Sequence, residues 1–139
     1  MEIIANAVQT VAPGANVQFT DTVVSGCHSI VHRVGSGLIT LRGITNQCRA
    51  RFKVSFGANV ALPTGGTVAP ISLALSISGE PIASTTMIST PAAVEEFNNV
   101  FTAVYLDVPA GCCLTVSVRN TSEDDIDVQN ANLIVERVA

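Results

Sequence analysis

The stretch from Asn99 to Val138 divides into three strands, Val100–Val108, Cys112–Asn120 and Ile126–Val138, separated by the turn Pro109-Ala110-Gly111 and the polar loop Thr121-Ser122-Glu123-Asp124-Asp125. In the middle strand Leu114, Val116 and Val118 alternate with Thr115, Ser117 and Arg119, the two-residue period of a strand with one dry face and one wet face. The first strand breaks that pattern. Its Val100, Thr102, Val104, Leu106 and Val108 are interleaved with Phe101, Ala103 and Tyr105, so both faces are expected to be buried. A two-sheet sandwich has one internal core, and a second apolar face calls for cover by another subunit. The expectation is an all-β oligomer that works through its surfaces.

At 139 residues the chain is expected to form one domain, residues 1–139. Hydrophobic residues make up 47% and charged residues 13%, which leaves few charges to solvate a monomer and favours self-association. No apolar run approaches the roughly 18 to 20 residues of a membrane helix, and Met1-Glu2-Ile3-Ile4 lacks the basic start of a signal peptide. A chain made in the cytoplasm without a signal peptide reaches an outer surface by lysis or by assembly into a particle. Seven basic against eleven acidic residues, a net charge of −4, argue against nucleic-acid binding as the main task. Of the four cysteines, Cys112 and Cys113 are adjacent and point to opposite strand faces, and free, mostly buried thiols are expected throughout.

Earlier in the chain, Ile3–Val11 reads as one strand, ended by Pro13-Gly14, and Val17, Phe19 and Val23 mark the dry face of a second that runs to Val24. Ser29–Val34 and Leu38–Arg42 flank Gly35-Ser36-Gly37 as a hairpin. The clearest alternation follows, with Ala50, Phe52, Val54 and Phe56 on one face and Arg49, Arg51, Lys53 and Ser55 on the other. In Val68–Ser78 the residues Ile71, Leu73, Leu75 and Ile77 oppose Ser72, Ala74, Ser76 and Ser78, a face small enough for close approach. Ile82–Ser89 is a weaker strand, and Ala92–Asn98 allows one helical turn.

The residues Val104-Tyr105-Leu106-Asp107-Val108-Pro109-Ala110-Gly111, Leu114-Thr115-Val116-Ser117-Val118 and Ala131-Asn132-Leu133-Ile134-Val135 resemble the C1q/TNF-like jelly roll, and the chain looks most like the small modules of this type from Firmicutes and their phages. The resemblance implies a two-sheet jelly-roll sandwich of about ten strands, packed as a homotrimer and acting by binding or display. No Gly-x-y repeat precedes the first strand, which favours a trimer that is itself a decoration over one carried on a collagen stem.

The trimer interface is assigned to Phe101, Ala103 and Tyr105. Arg33, Arg42, Arg49, Arg51 and Lys53 place five of the seven basic residues in one third of the chain. Among them Arg49, Arg51 and Lys53, opposite the core, form the candidate partner-binding face for an anionic glycan or an acidic protein. The alternative is pairing with Glu95, Glu96 or a neighbour's acidic loop. His28 and His32, with Cys27 beside them, share a strand face in this reading but sit roughly 13 Å apart along it, too far to share a metal. The loop Glu123-Asp124-Asp125 with Asp127 offers oxygen ligands without the spaced Asp and Gly of a dedicated calcium loop, and reads as solvated. No Gly-x-Ser-x-Gly elbow is present, and adjacent Glu95 and Glu96 diverge, so no catalytic set and no cofactor is assigned.

These observations favour a non-enzymatic trimeric structural or display module that decorates a phage particle or a spore or cell surface, with itself and other virion or surface proteins as partners. The alternative is a recognition module for host glycan or protein. Neither needs nucleic acid or membrane insertion.

Overall fold

The alternation that begins at Arg49 continues well past Phe56. Strand β6 runs for thirteen residues, Arg49–Ala61, with Ala50, Phe52, Val54, Phe56, Ala58 and Val60 all buried. This long strand sits inside the first of two sheets in the computed structural model, which describes residues 1–139. In spatial order the sheet contains β10 (Asn98–Pro109), β6, β12 (Ile126–Arg137), β1 (Glu2–Ala5) and β3 (Asp21–Val24), with β2 (Gln9–Val11) also on β12. The second sheet is ordered β4 (Ile30–His32), β5 (Ile39–Arg42), β11 (Cys113–Asn120), β7 (Ile71–Ile77) and β8 (Glu80–Pro81), with β9 (Met87–Ser89) also on β7. Every pairing is antiparallel. The inward faces enclose one apolar core that includes Phe19, Phe52, Phe56, Leu41, Leu73 and Leu133.

The architecture agrees with the expected two-sheet, all-β sandwich, while several local expectations change. The first expected strand is two pieces, because Asn6, Ala7 and Val8 leave the ladder exposed between β1 and β2. Val17 and Phe19 are buried as expected. Val23 is 56% exposed, because β3 is an edge strand whose four residues are all exposed. The single helical turn lies at Ala83–Thr85 and not at Ala92–Asn98. It forms where the Thr85 hydroxyl, fully buried, donates to the Ile82 carbonyl and accepts from the Leu75 backbone N–H. Twelve strands replace the expected ten or so, the shortest being the two-residue β8.

Two turns fix the end of the sandwich at which β10 passes to β11. Gly111 adopts φ 78°, a left-handed conformation that glycine takes without strain. Gly43 lies so close to this turn that a Cβ there would collide with the Pro109 carbonyl oxygen, and its N–H donates to the Cys112 carbonyl at 2.8 Å.

Candidate functional site

Strand register decides which side chains share the outer face of the first sheet. On β10 the inward set is Val100, Thr102, Val104, Leu106 and Val108, so Phe101, Ala103, Tyr105 and Asp107 point away from the core. The expected burial of both faces does not occur within one chain: Phe101 is 65% exposed and Tyr105 62%. Across the sheet, Phe101 faces Gly57 and then Asn132, and Ala103 faces Ser55 and then Ile134, which is itself exposed. The result is an apolar field over small residues, on a twelve-residue strand that forms the sheet's edge.

The cationic row belongs to the same face. Tyr105 is paired with Lys53, Asp107 with Arg51 and Pro109 with Arg49, so the two assigned sites are neighbouring zones of one surface. The Asp107 carboxylate accepts two bonds from Arg51, Nε to Oδ1 at 2.8 Å and Nη2 to Oδ2 at 3.2 Å, and lies 3.3 Å from Arg49 Nε. The hydrogen bond from Arg51 holds the Asp107 carboxyl below the usual carboxylate range and raises the Arg51 guanidinium in turn. Lys53 makes no ion pair; its register neighbours are Tyr105 and Glu136. Arg51, Tyr105 and Asp107, with Val138 and Ala139, line a cleft of about 430 Å³.

Sequence reasoning passed over two parts of this surface. Asp107 continues the outward period of Phe101, Ala103 and Tyr105, so its direction was available from the alternation. Its partner was not, because Arg51 is fifty-six residues away and only register joins them. At the other end of the apolar field the Asn99 amide donates to Asn59 Oδ1 at 3.2 Å and the Asn59 amide to Asn130 Oδ1 at 3.4 Å, an amide ladder across three strands. Asn130 stands at a register shift in β12 with φ 54°, a conformation asparagine tolerates.

The remaining candidates are dispersed. His28 lies in an exposed loop, while His32 is on β4 with Nε2 2.9 Å from the Ser36 carbonyl, so the two do not share a strand face. Arg42 belongs to the second sheet and Arg33 to the turn that follows β4, both apart from Arg49, Arg51 and Lys53. Glu123, Asp124 and Asp125 rim a groove of about 560 Å³ together with Thr10 and the Pro63–Thr67 turn, and Asp127 accepts from the Thr10 hydroxyl at 2.8 Å. Glu95 accepts from the Thr64 hydroxyl and does not meet the arginines. No group of three or more His, Cys, Asp and Glu side chains is arranged to hold a metal ion. The cysteines are free, and the expectation that they are mostly buried is overturned. All four are exposed, because they fall in turns or at a strand start at one end of the sandwich and not in the core ladder. No helix is long and apolar enough to cross a membrane.

No family model and no curated protein matches the sequence. Solved structures do match the fold. The globular domain of zebrafish complement 1qA superposes with a TM-score of 0.62 at 12% identity, covering 96% of this chain and 93% of that one. The Eiger TNF of S. frugiperda gives 0.68 at 15% identity over 100% and 92% of the two chains. Murine APRIL gives 0.57 at 10% identity over 97% of each. At such identities the likeness is one of fold alone, and with the two antiparallel sheets described above it shows a jelly roll like those of the C1q and TNF globular domains.

Proposed function

We propose that residues 1–139 act as one non-enzymatic, self-associating binding or display module, a homotrimer built through Phe101, Ala103 and Tyr105. The observation that carries this reading is the exposure of two large aromatic side chains on a long edge strand. Such a strand is an aggregation hazard unless a partner covers it, and aromatic residues dominate the centres of protein interfaces. Arg49, Arg51 and Lys53 then form the charged rim. Asp107 already engages two of them, which favours contact with a second copy carrying both signs of charge over capture of a polyanion at this place.

Light scattering tests the reading. Wild type is expected at about three times the 14.4 kDa chain mass, and Phe101→Asp with Tyr105→Asp as a folded monomer, because both positions face outward in the single chain. A wild type that stays monomeric at micromolar concentration overturns it. Replacing Arg49, Arg51 and Lys53 together with Ser is expected to weaken the trimer without unfolding the chain.

A self-covering module with few charged residues and no assembled catalytic set suits the decoration of a phage particle or of a spore or cell surface. Capsid and portal genes beside its own gene would support the particle assignment, and their absence would favour the cell surface.

A further inference from the structure

The outer face of the second sheet carries charge of one sign. Arg42 is outward because Ile39 and Leu41 are buried, and Arg119 because Val116 and Val118 are buried. Arg33 is exposed and directly follows β4, at the start of the turn to Ser36. None of the three has a carboxylate partner. Arg42 reaches the His28 carbonyl at 3.5 Å, and Arg119 donates to the Gly79 carbonyl. Strands β4, β5, β11 and β7 contain no Asp or Glu, in a chain with eleven acidic residues, and the sheet's one carboxylate is Glu80 on the short β8 at its far edge. Between the arginines stand Thr40 and Thr115, paired in register. Ser76, on the same outward side and paired with Ser117, is fully buried with its Oγ lacking a hydrogen-bond partner.

We infer that this face is a binding surface for a linear anionic polysaccharide. Arg42 lies opposite Cys113, six residues along β11 from Arg119, so register and strand geometry separate the two arginines by about 20 Å, the spread of a chain molecule and not of a single ion. Arginine forks suit carboxylate and sulfate groups, and the half-buried Thr40 and Thr115 hydroxyls suit sugar hydroxyls. The four strands contain no Phe, Tyr or Trp. They therefore lack the aromatic anchors that hold a protein partner, and charge is the main source of affinity. The face lies across the core from Phe101 and Tyr105, so self-association through those residues leaves it open, and a monomer presents it equally.

Isothermal titration of the full chain with sodium alginate, dextran sulfate, neutral dextran and poly-L-glutamate tests it. Alginate and dextran sulfate are expected to bind with an affinity that falls as salt rises, while neutral dextran does not bind. Arg33→Gln with Arg42→Gln is expected to weaken binding at least about tenfold with an unchanged melting curve. Arg33→Lys with Arg42→Lys is expected to lose less than the Gln pair, because it keeps the charge and gives up only the fork. Three results overturn the inference: no binding to either anionic polysaccharide at low salt, an affinity unchanged in the Arg33→Gln, Arg42→Gln variant, or equal binding of neutral dextran. Tighter binding of poly-L-glutamate than of both polysaccharides also overturns it, and assigns the face to an acidic polypeptide.

Discussion

Phe101 lies across Gly57 of the neighbouring strand, its Cδ2 3.5 Å from where a Cβ on Gly57 would stand. That separation is an ordinary van der Waals contact, so a methyl group fits beneath the ring without moving it. Gly57→Ala is expected to stabilise the chain by about 0.4 to 1 kcal/mol, chiefly by restricting the unfolded state. Urea denaturation at fixed protein concentration measures this, and a loss of stability would mean that the ring needs bare backbone under it.

The Asp107 carboxylate gives a pH dependence of defined sign. Its hydrogen bond from Arg51 depresses the folded-state pKa, so its contribution is present above the unfolded carboxylate value of about 4 and disappears as pH falls through the folded value. Wild type and Asp107→Asn should therefore differ in melting temperature at neutral pH and converge on acidification below about pH 4. The group is exposed and the difference small. A gap that widens on acidification would contradict the assignment of Arg51 as the dominant partner.

The parts of the fold that were legible in the sequence are those fixed by local period. The buried row Ala50, Phe52, Val54 and Phe56 and the outward direction of Arg49, Arg51 and Lys53 follow from alternation alone, because a strand with one dry face admits no other register. What alternation does not contain is pairing between distant strands. The Asp107 bridge to Arg51, the separation of Arg42 onto the other sheet, and the Asn99, Asn59 and Asn130 ladder all depend on which strands become neighbours. Val23 was misread because an apolar residue on an edge strand has the same period as one in the core, and the cysteines because burial was inferred from residue type and not from their place in turns.

Phe19 joins an irregular segment to the core, its ring edge-on to Phe56 at 6.3 Å and to His32 at 6.3 Å. The flanking chain is held by Val17 N–H to the Val118 carbonyl at 2.9 Å and Gly35 N–H to the Phe19 carbonyl at 2.8 Å. Phe19→Ala leaves a cavity between the sheets and is expected to cost about 3 to 5 kcal/mol. A cost below about 1 kcal/mol in chemical denaturation would indicate that the segment collapses into the space or contributes little to the core.

The exposed thiols make the last prediction, which reverses what residue type alone implies. Cys27, Cys48, Cys112 and Cys113 are all free and exposed, so a thiol-specific chromogenic reagent is expected to titrate four groups per chain without denaturant. Their reactivities should differ. A hydrogen bond from the Ser29 backbone lowers the Cys27 thiol below its ordinary value, and the nearby Arg137 guanidinium acts in the same direction. Near neutral pH a lowered thiol has a larger thiolate fraction, and thiolate is the reacting species, so Cys27 should be modified first. Arg137 itself donates to the Ser29 hydroxyl at 3.0 Å and to the Ile44 carbonyl at 2.6 Å, so Arg137→Gln should slow Cys27 toward the other three. Mass spectrometry after a short exposure at pH 7 identifies the first site. Modification of Cys48, Cys112 or Cys113 ahead of Cys27 would show that access, and not thiolate fraction, sets the order.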